Sequence, residues 1–189
     1  MSLIRLFFQL LFLRAGPEDM PAGQQPLLIA VGFYVVVGVL LDLAVAGDGG
    51  PGGDGLSAGL MLLAADALVL VGYSAGLAAL RNHRARIPQM LTALFGATAM
   101  LGLVAWPLVA MQPTGAEAAD IEAQLGFWSV MMIALFAWNL VVLGQIYRRT
   151  LDFGAGIGVL AALGYFILSS LVYMGVAVQL LPGETGLPT

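Results

Sequence analysis

Five long apolar stretches, at residues 27–46, 56–80, 87–111, 125–147 and 153–181, dominate this chain of 189 residues. Each is long enough to cross a hydrocarbon core of about 30 Å as a helix rising about 1.5 Å per residue. In lipid only helices and closed barrels pair all their backbone groups, and these stretches lack the period-two alternation of barrel strands. Charged residues make up 10% of the chain, against about 25% in a soluble domain, so there is too little polar material to coat a water-facing surface. The sequence therefore predicts one all-α membrane domain over residues 1–189, a polytopic protein with five transmembrane helices.

Orientation follows from the basic residues, which occupy alternate connections. Arg5 and Arg14 precede the first stretch; Arg81, Arg84 and Arg86, with His83, separate the second from the third; Arg148 and Arg149 separate the fourth from the fifth. The remaining connections carry only acids, among them Asp48, Asp54, Glu117, Asp120, Glu122 and Glu184. The positive-inside rule then places all 7 arginines in the cytoplasm, with the N-terminus inside and the C-terminus outside. These arginines suit anionic lipid headgroups or an acidic partner surface. A formal net charge of −4 with so few basic residues excludes nucleic-acid binding.

Residues 1–13 are apolar except for Ser2, Arg5 and Gln9, and are too short to span. Arg14 follows directly and no small-residue cleavage site appears, which argues against a signal peptide. We read residues 2–14 as an interfacial or re-entrant helix with Arg5 and Arg14 at headgroup level. The segment Gly16-Pro17-Glu18-Asp19-Met20-Pro21 breaks it before the first span.

Asp66 is the residue with the most chemistry. Counted from Ser57 it lies roughly 14 Å deep, near mid-bilayer, and no Lys, Arg or His sits at that depth in another stretch. A bare carboxylate is strongly disfavoured there. Two roles follow: an interhelical clamp, or an acid that carries a proton or holds a ligand. Tyr165, Ser169 and Tyr173 form a row at i, i+4, i+8 in the fifth stretch, and Asn139 of the fourth lies near the same level, so these are the expected neighbours.

Small residues recur at four-residue spacing: Gly72 and Gly76 in the second stretch, Ala93 and Ala97 in the third, and Gly154, Gly158 and Ala162 in the fifth. Such faces allow close helix approach, inside the bundle or against another membrane protein. Pro88 falls in the first turn of the third stretch, and Trp106-Pro107 predicts a kink near its far end. The loop at 47–55 reads GDGGPGGDG, and residues 49–57 fit a single calcium-binding nonapeptide, but that motif works only when turns stack, so a solvated hairpin loop is expected. One His and zero Cys leave too few ligands for metal or haem, and no cofactor is expected. His83 reads as an interfacial anchor, and no Ser-His-Asp set, acid dyad or zinc-protease motif occurs.

Three segments resemble the Yip1-domain superfamily, in particular small five-span bacterial inner-membrane proteins attached to it. They are Leu11-Phe12-Leu13-Arg14-Ala15-Gly16-Pro17-Glu18-Asp19-Met20-Pro21, Ile87-Pro88-Gln89-Met90-Leu91-Thr92-Ala93-Leu94-Phe95-Gly96, and residues 138–149 with the following Leu151. The resemblance implies a five-span helical fold in a bacterial cytoplasmic membrane and carries over no catalytic or ligand residue. The Asp-Leu-Tyr/Phe-Gly-Pro signature of eukaryotic members is absent. The expected function is a non-catalytic accessory, scaffold or assembly subunit that meets lipids and other integral membrane proteins or itself. The alternative is a small oligomeric proton-coupled transporter or channel using Asp66.

Overall fold

The computed structural model describes residues 3–45, 55–111 and 121–180. A short helix α1 (Leu3–Leu11) and a 3-10 turn (Pro17–Asp19) lead into α2 (Gln24–Val45), then α3 (Gly55–Leu80), a second 3-10 turn (Arg84–Arg86), α4 (Ile87–Ala110), α5 (Ile121–Leu151) and α6 (Ala155–Leu180). No strand occurs among the described residues, and α2 to α6 are the 5 helices long and apolar enough to cross a membrane. The protein is thus an all-α polytopic membrane protein. The glycine-rich loop lies mostly outside the described residues, and the acids Glu117, Asp120 and Glu184 wholly so.

Helix α4 is the centre of the bundle: 44% of its span is buried, against 11–22% for the other four. Contacts run in a closed circuit from α2 to α4, α5, α6, α3 and back to α2. The sequence explains why α4 takes the middle. Its unbroken buried run from Met90 to Ala97 includes Ala93, Gly96 and Ala97, whose small side chains admit neighbours on several sides. Helix α4 continues through Pro107 to Ala110. Helix α5 extends past the apolar stretch at both ends, taking in Ile121 and Glu122 at one and Arg148, Arg149 and Thr150 at the other.

Helices α1, α3 and α5 end in the same way. Leu13, Asn82 and Asp152 adopt left-handed φ values of 59°, 58° and 53°. The next amide in each case bonds a carbonyl five residues back: Arg14 to Gln9 at 2.9 Å, His83 to Ala78 at 2.8 Å, Phe153 to Arg148 at 3.0 Å. These bonds satisfy carbonyls that a helix end leaves open. Asn and Asp tolerate the left-handed region, whereas Leu13 is strained there.

Helix α1 answers the question its composition leaves open. Phe7 is 1% exposed, packs over Gly96 of α4 and stacks on Phe33 of α2 with centroids 6.5 Å apart. Gly96 and Phe33 each lie nine residues into their helices, roughly 13 Å from the arginine-bearing ends. Helix α1 therefore lies beside the bundle rather than beneath it. Its outer face, Ile4 and Phe8, is exposed and apolar, as is Phe12 just beyond its end. Arg5 and Arg14 are exposed.

Candidate functional site

The five long helices turn polar groups toward one another at mid-height. Asp66 of α3 is the hub: the Tyr34 hydroxyl of α2 donates to its Oδ2 at 2.6 Å, and from α6 Tyr165 donates to its Oδ1 at 2.8 Å. Ser169, one turn along α6, donates to the same Oδ1. Tyr34 lies ten residues into α2, roughly 15 Å from its start, so helix rise alone brings it level with Asp66. Tyr165 and Ser169 are one turn apart and face one way. Three hydroxyls thus supply the donors that a carboxylate in hydrocarbon lacks.

A second polar layer lies on the arginine-bearing side of this hub. Ser74 and Tyr147 share a buried hydrogen bond of 2.8 Å between α3 and α5, and Tyr73 donates to the Ala161 carbonyl of α6 at 2.8 Å. Tyr73 fits because Gly164 has no side chain: a Cβ there would collide with the phenol oxygen. Tyr73 also meets Tyr147 edge to face, with centroids 6.2 Å apart. This layer closes the interior on that side.

On the other side the interior opens into a cavity of about 290 Å³. Tyr34, Asp66, Thr98 and Asn139 form its floor, and leucines 41, 63 and 135 form walls that run toward the arginine-free end. The Oγ1 of Thr98 and the Oδ1 of Asn139 are buried and have no hydrogen-bond partner.

The remaining candidates scatter. Tyr173 is 55% exposed on the outer face of α6, away from Asp66. Gly72 and Gly76 are exposed on α3, and a Cβ at either would meet nothing within 4 Å. Gly154 is also exposed with open space around it. Gly158 and Ala162 instead pack inside the bundle, where a Cβ on Gly158 would lie 2.5 Å from the Gly144 carbonyl oxygen of α5.

At the arginine-bearing end, a cavity of about 430 Å³ is lined by Glu18, Arg86, Gln89, Arg149, Thr150 and Asp152, with Pro17. Its arginines are paired: Arg149 with Glu18 at 2.9 Å, Arg86 with Asp152 at 3.2 Å. The side chain of Gln89 donates to the Met20 carbonyl at 3.0 Å, tying the turn before α2 to α4. His83 reaches Asp152 through Nε2 at 2.9 Å and the Arg81 carbonyl through Nδ1 at 2.6 Å. Both ring nitrogens face oxygen atoms, so the ring ties the α3–α4 hairpin to the turn after α5. The hydrogen bond from His83, aided by the Arg86 charge, holds the Asp152 carboxyl below the usual carboxylate range. Arg81 stacks over Phe153 at 5.0 Å from the ring centroid, Arg148 contacts Gln145 at 3.4 Å, and Arg84 is exposed.

Sequence reasoning missed Tyr34, Thr98 and the Ser74–Tyr147 pair. The signal was present for the tyrosines, since a phenol in the middle of an apolar stretch must find a partner for its hydroxyl. No group of three or more metal-capable side chains occurs among the described residues. Comparison of the chain with family models, with curated proteins and with solved structures finds no match.

Proposed function

We propose that the protein is a non-catalytic accessory, scaffold or assembly subunit of a larger membrane complex, of the Yip1-like five-span kind. On this reading it sits in a bacterial cytoplasmic membrane with its arginines, and its N-terminus, on the cytoplasmic side. The observation that carries the reading is the open strip at Gly72 and Gly76: two glycines one turn apart on α3, exposed and facing empty space. Small residues at this spacing let a second transmembrane helix approach closely, and none of the chain's own described helices uses the strip. Asp66 supports the same reading, because its carboxyl is engaged by hydroxyls of two other helices.

The test is gentle extraction from native membranes with mass identification of what co-purifies. Stoichiometric recovery of another integral membrane protein is expected, and Gly72→Leu with Gly76→Leu should release it without changing the stability of the chain. A homo-oligomer carrying only lipid would shift the weight to a second reading, a small oligomeric proton-coupled transporter or channel. That reading is favoured by the cavity that runs from Asp66 toward the arginine-free end. Its own test is Asp66→Asn, which should abolish flux in vesicles while the chain stays folded.

A further inference from the structure

The cavity above Asp66 has a chemistry that neither role requires. Its walls are aliphatic and its floor is polar. A carboxylate offers about four lone-pair positions. Oδ1 of Asp66 accepts from both Tyr165 and Ser169, whereas Oδ2 accepts from Tyr34 alone, which leaves an acceptor position open on the oxygen beside Tyr34. Two other residues that line the same cavity carry polar atoms without partners: Oδ1 of Asn139, an acceptor, and Oγ1 of Thr98, a hydroxyl that can accept or donate. Buried polar atoms without partners cost stability, so an interior that retains two of them beside a carboxylate suits a guest.

The unmet acceptors decide what the guest is. An anion would face the Asp66 carboxylate, and a carbonyl compound could take the Thr98 hydroxyl as a donor but would leave the open acceptor positions on Asp66 and Asn139 unmet. No Arg or His among the described residues lines the cavity to neutralise the acid. We propose that this cavity is a binding site for a small amphipathic amine, its ammonium on Asp66, Asn139 and Thr98 and its alkyl part against the leucine walls. An ammonium carries three donors on a single charge, which matches three open acceptors and one carboxylate. The volume of about 290 Å³ suits a short alkyl chain, at the lower end of ordinary ligand pockets. Entry is from the arginine-free end, because the Ser74–Tyr147 and Tyr73–Ala161 bonds close the other side. The site stands on the cavity itself and holds whether the chain is a scaffold or a carrier.

The experiment places the full chain in nanodiscs of zwitterionic lipid and titrates it with hexylammonium, hexanol and hexanoate, reading bound ligand by native mass spectrometry. Saturable binding of one hexylammonium per chain is expected, with weaker hexanol and no hexanoate binding. Asn139→Leu should weaken hexylammonium about tenfold, and Thr98→Val somewhat less, since each removes one hydrogen bond. Asp66→Asn should abolish it; should that variant fail to fold, Asn139→Leu, which leaves the Asp66 hydroxyl contacts in place, decides the matter. Equal binding of all three probes, hexylammonium binding unaffected by Asn139→Leu, or a site that holds only water would overturn the proposal.

Discussion

Tyr165 donates its hydroxyl to Asp66 across 2.8 Å, joining two side chains 99 residues apart and fixing α6 against α3 at mid-height. With Tyr34 and Ser169 on the same carboxyl, one acid holds three helices. Helices in lipid gain little from hydrophobic association, so such bonds, together with close packing, decide which neighbours stay together.

Tyr165→Phe and Tyr34→Phe each remove one donor while keeping the ring. Each should lower stability by about 0.6 kcal/mol and at most about 1.7, the range for interhelical hydrogen bonds in membranes. Asp66→Leu should cost more than either, because it strands three hydroxyls at once. Reversible unfolding in mixed micelles measures all three. A double-mutant cycle on Tyr34 and Tyr165 should give a non-zero coupling energy through the shared acid, and strict additivity would show that the two tyrosines act independently.

The two glycine pairs make opposite predictions. Gly158 faces the Gly144 carbonyl, where a Cβ would come within 2.5 Å, so Gly158→Leu must push α6 away from α5. The backbone cannot yield as a flexible side chain can, and a loss of about 2 kcal/mol or more is expected, as for overpacked cores. Gly72→Leu faces open space and should leave stability unchanged or raise it slightly through better helix propensity. Thermal unfolding in detergent compares them; similar losses in both would mean that Gly72 is packed too.

Helix α1 is predicted to be shielded from water. The chain contains 0 Cys, so single cysteines report cleanly. Phe8→Cys, exposed on the outer face of α1, should resist a membrane-impermeant maleimide applied from either side, because that face meets acyl chains. Glu18→Cys, at the ion pair with Arg149, should react readily from the arginine-bearing side. Equal labelling of both positions would place α1 in water.

The sequence was most legible where one physical quantity governs the outcome. Helix number follows from apolar length alone, and the level of Asp66 with Tyr165 and Ser169 follows from a constant rise per residue. Rotation about each helix axis was not legible. In a helix that is apolar on every side, no polar face says which way it turns, so Gly72 and Gly158 look alike in sequence but end in open space and in a close crossing respectively. Tyr34 escaped notice for a related reason: among valines it counts as one more apolar residue until its hydroxyl is asked for a partner. The sequence presents the arginine-bearing end as charges suited to anionic lipid or an acidic partner surface. Pairing of Arg149 with Glu18, 131 residues away, depends on how the circuit of helices closes, which no local pattern encodes.

The same end carries a pH prediction. Asp152, in the turn between α5 and α6, bonds His83 and Arg86 from the preceding hairpin, and its carboxyl is held below the usual range chiefly by the His83 hydrogen bond. A carboxyl lowered in the folded state stabilises the fold above its ordinary pKa, about 4, and that contribution is lost as pH falls through the lower folded value. Amide exchange at Asp152 and Phe153 should therefore hold steady from neutral pH down to about 4, after allowance for intrinsic rates, and accelerate below it. Asp152→Asn should remove that acceleration and leave the turn looser at neutral pH. Because Asp152 is exposed, about 1 M salt should weaken the wild-type protection as well. Acceleration that persists in Asp152→Asn would show that the Asp152 carboxyl is not the source of the acid response.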